Sequence, residues 1–142
     1  MDIVGILNSP RADDLLLRTA GVSLDRALFP LLVRVNAYAP IGIVKLADQV
    51  GRDHSTVSRQ VARLESLGLV RRAACARDQR LRQVEITNEG RGMVELIGDA
   101  RDSLFEQMLG QWTSEDRENL TLLVRRLANE MKAIASKPHM EK

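Results

Sequence analysis

The sequence predicts a mainly α-helical fold with one small β-hairpin, an α+β arrangement, and three observations carry that expectation. Apolar residues recur at helical spacing in several segments, as at Val57, Val61 and Leu64. Capping residues and glycines punctuate those segments, as with Asp53 before and Gly68 after the same stretch. The pattern changes between Leu69 and Ile86, where two short runs read as strands around a polar tip.

Taken in order, Ser9 caps the first helix and Pro10 takes its first position, where a missing N–H costs nothing. Leu15, Leu16 and Ala20 supply its apolar face, and Gly21 stops it. A second helix is expected from Ser23, with Leu24, Leu28, Leu31 and Val35 on one side. Pro30 lies deep in it and must kink it or delay its regular part. Tyr38-Ala39-Pro40 ends it, and Pro40 to Ile43 is extended. A short helix, Val44–Val50, closes at Gly51, and Asp53 caps another from His54 to Leu67. The strands are Leu69–Ala74 and Leu81–Ile86, joined by an Arg-rich tip from Cys75 to Arg80. Thr87 caps a long helix with Met93, Ile97, Ala100, Leu104 and Met108 on one stripe. Thr113 caps the last, with Asp116 as its capping-box-like partner and Leu120, Leu123, Leu127, Met131 and Ile134 as its stripe. A short polar tail follows from residue 137.

The chain of 142 residues is the length of one domain, or of a small domain with an added interaction element. Apolar residues at 44% and charged residues at 28% exclude global disorder and fibrous classes. No apolar run approaches the roughly 18 residues that span a bilayer. The start, Met1 to Leu7, carries Asp2 and lacks the basic region of a signal peptide. The one cysteine, Cys75, has no internal disulfide partner, so a reducing cytoplasm is the expected location.

Charge is uneven. Between Lys45 and Arg82 stand nine cations and four anions, a net +5, while the rest of the chain holds 12 cations and 15 anions. A basic middle between acidic ends is the footprint of a nucleic-acid module within a non-binding scaffold. Two helices joined by a glycine-containing turn, Val44–Val50 and His54–Leu67, have helix-turn-helix spacing. The second would then present Ser55, Thr56, Ser58 and Arg59, with Arg63 one turn on, to a major groove. Hydroxyls can bond phosphates or base edges, and arginine can bond guanine O6 and N7. The hairpin makes the motif a winged one. Arg77, Arg80 and Arg82 lie at or near its tip and suit a narrow minor groove, with Asp78 expected to fix an arginine's direction.

These segments resemble the multiple-antibiotic-resistance regulator (MarR) family. The resemblance rests on Lys45-Leu46-Ala47-Asp48-Gln49-Val50-Gly51, His54-Ser55-Thr56-Val57-Ser58-Arg59 and the run from Arg63 to Arg72. Asp78-Gln79-Arg80 matches that family's Asp-x-Arg wing signature, and Ile86-Thr87-Asn88-Glu89-Gly90 matches the segment leading into its dimer helix. It implies a winged helix-turn-helix, residues 23–90, flanked by dimerisation helices at 1–22 and 91–136. It also implies a triangular homodimer on a pseudo-palindromic operator of double-stranded DNA. By carry-over, Ser55, Thr56, Ser58 and Arg59 fall on recognition-helix positions. Arg80 falls on the minor-groove arginine and Asp78 on the orienting aspartate.

Independently, the apolar stripes of the first and last two helices, with an arm of Ile3, Val4, Ile6 and Leu7, need a partner surface. A second copy supplies it with the two-fold symmetry a palindrome requires. The alternative is a three-helix cap within one monomer. Ligand-responsive members of the family bind small molecules, often aromatic or anionic, in the crevice between dimer and DNA domains. Leu17, Ala20, Leu31, Arg34, Tyr38 and Met93 are the expected lining there.

Enzymatic chemistry has little support. His54 and His139 are the only histidines and lie far apart in the sequence; a phosphate loop and a cysteine pair are both missing, and neither cofactor nor metal is expected. The sequence therefore points to a DNA-binding transcription regulator, a repressor by expectation. Two alternatives come from other classes. One is a winged-helix module that binds protein. The other is a redox sensor acting through Cys75, whose thiol Arg71, Arg72 and Arg77 would activate.

Overall fold

The structure, a computed structural model, describes residues 5–6 and 9–136. Ile3, Val4 and Leu7 of the apolar arm and the tail 137–142 lie outside the described residues, and Ile6 is exposed. The elements run α1 (Pro10–Thr19), α2 (Phe29–Tyr38), β1 (Ile41–Gly42), α3 (Ile43–Val50), α4 (His54–Ser66), β2 (Val70–Ala74), β3 (Arg82–Ile86), α5 (Asn88–Leu109) and α6 (Ser114–Ala135). Six helices and a three-stranded antiparallel sheet among the described residues make the α+β winged-helix arrangement.

The caps act where the sequence places them. Ser9 Oγ accepts from the Ala12 amide at 3.2 Å, and Thr113 Oγ1 accepts from that of Asp116 at 3.1 Å. Gly51 ends α3 in the left-handed region at φ 65°, which a side chain would strain.

The main correction concerns α2, which begins at Phe29 rather than near Ser23. Pro30 thus occupies an early position where it lacks no needed N–H. The preceding residues form turns, in which the Asp25 carboxylate accepts from the Ala27 amide at 2.8 Å. Leu24 and Leu28 are buried all the same, so their spacing registered burial and not helix. The other boundaries hold or move by one residue.

The strand order is β1-β3-β2. The wing pair runs in register from Val70 opposite Ile86 to Ala74 opposite Arg82. The extended segment after Pro40 joins the sheet, with Ile41 opposite Val84. This alternation turns Val70, Val84 and Ile86 inward against the helices.

The core gathers Leu31, Leu32, Val35, Leu46, Val57, Val61 and Leu64, all with no exposed surface. Leu17 of α1 and Ile97 of α5 belong to the same cluster. By its internal contacts the chain falls into two units, Met1–Leu104 and Phe105–Lys142. In the second unit, Arg117 donates twice to the Leu109 carbonyl, at 2.6 and 3.1 Å, and pairs with Glu106 at 3.2 Å. No described residue of α6 is buried.

Candidate nucleic-acid interface

Helix α4 is seated by Val57, Val61 and Leu64, so the side chains between them must face outward. Ser55, Arg59 and Arg63 are exposed, and Thr56 and Ser58 are half-buried. Arg52, in the turn before the helix, holds α4 from behind. Its Nη1 donates to the Ala27 carbonyl at 2.7 Å and to Gln60 Oε1 at 2.9 Å. His54 Nε2 stands 3.8 Å from Asp48 Oδ1, joining the start of α4 to α3.

Asp53 does more than cap. Its Oδ2 accepts from the Thr56 amide at 3.0 Å and from Ser55 Oγ at 2.6 Å, while Oδ1 accepts from Thr56 Oγ1 at 2.6 Å. The Ser55 hydroxyl foremost, then the Thr56 hydroxyl and amide, hold the Asp53 carboxyl below the ordinary carboxylate range. Arg59 Nη2 reaches towards Thr56 Oγ1 at 3.5 Å.

The wing is fastened to this helix. Arg72 Nη2 donates to the Ser58 carbonyl at 3.0 Å, and its Nε lies 3.4 Å from Glu65. Arg71 pairs across the strands with Glu85 at 2.7 Å. At the exposed tip, Asp78 Oδ1 accepts from the backbone amide of Arg80 at 2.9 Å, and the Asp78 carbonyl accepts from the Leu81 amide at 3.0 Å. The aspartate therefore orders the backbone of the turn, holding Arg80 by its main-chain amide. Arg77, Arg80 and Arg82 are exposed. Among the described residues, Arg59, Arg63, Arg77, Arg80 and Arg82 form no ion pair, which leaves five unneutralised guanidinium groups on one helix and its wing.

A groove of about 980 Å³ opens between α1, the turns before α2, and α4. Leu17, Leu24 and Leu28 form its floor, with Arg18, Arg59 and Arg63 among its charged walls. Of the six residues expected to line an effector crevice, only Leu17 lies here. Leu31 is fully buried, Ala20 and Met93 are packed against the core, and Arg34 and Tyr38 are exposed.

Cys75 is half-buried in a smaller crevice at the wing base, beside Ile43, Val44, Leu81 and Arg82. The guanidinium groups of Arg71 and Arg72 are taken by Glu85, Glu65 and the Ser58 carbonyl. Among the described residues no three His, Cys, Asp or Glu side chains gather as metal ligands, and no helix is long and apolar enough to cross a membrane.

Sequence reasoning missed Arg52 and Arg72 as the ties that set the helix and wing. Both read as members of a basic stretch, and their long-range acceptors, a carbonyl in each case, carry no sequence signal.

A protein-family model described as HVO_A0114 matches residues 25–87. The chain is 30% identical over 105 residues to the uncharacterized HTH-type transcriptional regulator YxaD of Bacillus subtilis, covering 74% of this chain and 73% of that protein. It is 35% identical over 86 residues to the transcriptional regulator HosA of Escherichia coli O157:H7, spanning 61% of this chain and 64% of HosA, just under two thirds of its length. Among solved structures, the crystal structure of MarR superposes with a TM-score of 0.77 at 23% identity, over 95% of this chain and 94% of that one.

Proposed function

This chain belongs to the MarR family of winged helix-turn-helix transcription regulators, and from that premise we propose that it represses transcription by occupying a pseudo-palindromic operator as a homodimer. The observation that carries this reading is the set of five arginines on α4 and the wing that form no ion pair among the described residues. Pairing exposed charges within one protein gains little, whereas a DNA backbone takes such cations up and releases its own counterions. Arg59 and Arg63 serve the major groove and Arg77, Arg80 and Arg82 the adjacent minor groove or backbone, with Ser55, Thr56 and Ser58 beside them.

The dimer is supported by α6. Leu123, Leu127, Met131 and Ile134 recur at helical spacing and are all more than half exposed within one chain. A stripe of that size is buried by a second copy at low cost, and the two-fold axis so produced matches a palindromic site. An effector, where one acts, fits the groove beside α4: its hydrophobic floor takes an apolar body, and Arg18, Arg59 and Arg63 outnumber Asp14 and Asp25 on its walls, which favours an anionic group. Such a ligand would hold Arg59 and Arg63 away from DNA, and would release the operator in proportion to its preference for the free protein.

Fluorescence anisotropy on a duplex from the upstream intergenic region, against a scrambled duplex of equal length at two salt concentrations, tests the reading. Preferential binding that weakens steeply with salt is the expected result. Absence of binding to either duplex at low salt would refute it.

A further inference from the structure

The network around Asp53 bears on which bases the helix can read. A carboxylate only accepts, so at 2.6 Å the Ser55 and Thr56 hydroxyls must each be donating their single proton to it. Each hydroxyl oxygen then has only lone pairs left to offer, and Ser55 is the exposed one of the two. The Asp53 carboxylate also takes the Thr56 amide, so the helix start already has its own anion. A DNA phosphate, the usual guest of a helix N-terminus, is repelled by that charge and finds the hydroxyl protons committed.

In the major groove only two groups donate hydrogen bonds: N6 of adenine and N4 of cytosine. The geometry points to Ser55, held as an acceptor by Asp53, as a residue that selects an amino-bearing base, adenine or cytosine, over guanine or thymine on the strand it faces. This inference rests on the operator-binding reading above and specifies its chemistry. Thr56 takes a different part. Arg59 Nη2 lies 3.5 Å from its oxygen, so Thr56, held by Asp53, offers that guanidinium a nearby acceptor. Arg59 lies one turn beyond Ser55 and is donor-only, which suits guanine O6 and N7. The pattern expected in each half-site is therefore an amino-bearing base close to a guanine. Asp53 is a positioning residue in this scheme, and Ser55 touches the base.

The test is selection from a library of randomised duplexes by the full-length protein and by Ser55→Ala and Asp53→Asn. Asparagine is as good an N-cap as aspartate, and alanine is well tolerated in an exposed first turn, so both variants keep their fold. A native circular dichroism spectrum and a cooperative melt above the assay temperature would verify that. Wild-type protein should favour adenine or cytosine by about fivefold at one position per half-site, the worth of one net hydrogen bond. Ser55→Ala should flatten that position alone. Asp53→Asn replaces one acceptor oxygen with a donor, frees a hydroxyl proton, and should admit guanine or thymine while non-specific affinity rises. A merely structural role for Asp53 would lower binding to all sequences without altering base preference, and that outcome overturns the inference. So does an amino preference that survives in both variants, or a wild-type site with none. Failure of the wild-type protein to enrich any sequence would overturn the operator-binding reading and this inference together.

Discussion

Arg72 of β2 donates from Nη2 to the main-chain carbonyl of Ser58 in α4, 3.0 Å away, so the wing hangs from the middle of the helix it must work beside. The Glu65 pair at 3.4 Å is exposed and adds little by itself. Arg72→Ala should cost about 1 kcal/mol of stability. It should also weaken operator binding by roughly five- to tenfold, through loss of wing placement without loss of a DNA contact. Urea unfolding and anisotropy check the two parts. Unchanged binding would show that the wing finds its place unaided.

Arg59→Ala and Arg80→Ala separate reading from holding. Loss of a base contact at Arg59 should relax sequence preference by about 1–3 kcal/mol. Arg80→Ala should weaken binding to all sequences alike and reduce the slope of log affinity against log salt by about 1. Titrations on operator and scrambled duplexes at several salt concentrations distinguish these effects.

Gly90→Ala inverts the usual rule. In an exposed helix interior the change stabilises by about 1 kcal/mol. Here a β-carbon would overlap the Leu69 carbonyl oxygen and stand 2.8 Å from Ile86 Cγ1. The same corner is closed by Thr87, whose hydroxyl donates to the Gly68 carbonyl at 2.6 Å and accepts from the Gly90 amide at 3.0 Å. Backbone cannot give way there as a flexible side chain does, and a loss of about 1–3 kcal/mol is expected. A raised melting temperature would contradict the packing described.

Acid should find the Asp53 cap. Its carboxyl is held below the ordinary range, by the Ser55 hydroxyl foremost. A depressed folded-state pKa stabilises the fold fully above the unfolded-state value of about 3.9, and that contribution is lost as pH falls below it. Asp53→Asn has no such titration. The stability gap between wild type and variant should therefore shrink below about pH 4. Denaturation at a series of pH values measures it, and a gap independent of pH would mean the carboxylate is not favoured by folding.

Leu127→Glu places a charge in the middle of the exposed α6 stripe. The residue contributes nothing to the core of its own chain, so the folded unit should persist. Sedimentation should show a monomer, and operator affinity should fall by at least about a hundredfold as the second half-site is lost. A dimer that survives the change would move the subunit interface elsewhere.

Local chemistry made most of this protein legible from its residues. Ser9, Asp53, Thr87 and Thr113 announce helix starts because a cap satisfies amides within three residues of itself. The apolar period of α4 identifies its buried side, and hence by subtraction the side left exposed. Pro30 announced a disturbance in α2, but only packing decided that the helix starts at Phe29 while Leu24 and Leu28 stay buried in turns. The tertiary structure also chose which arginines are free. Arg52, Arg71 and Arg72 are indistinguishable from Arg59 and Arg80 in a charge count, yet the first three are consumed by Ala27, Gln60, Glu85, Ser58 and Glu65. Asp78 likewise spends its carboxylate on a backbone amide. Capping and periodicity act over a few residues and are written in the chain, whereas a charge's partner is set by whatever the fold carries within a few ångströms of it.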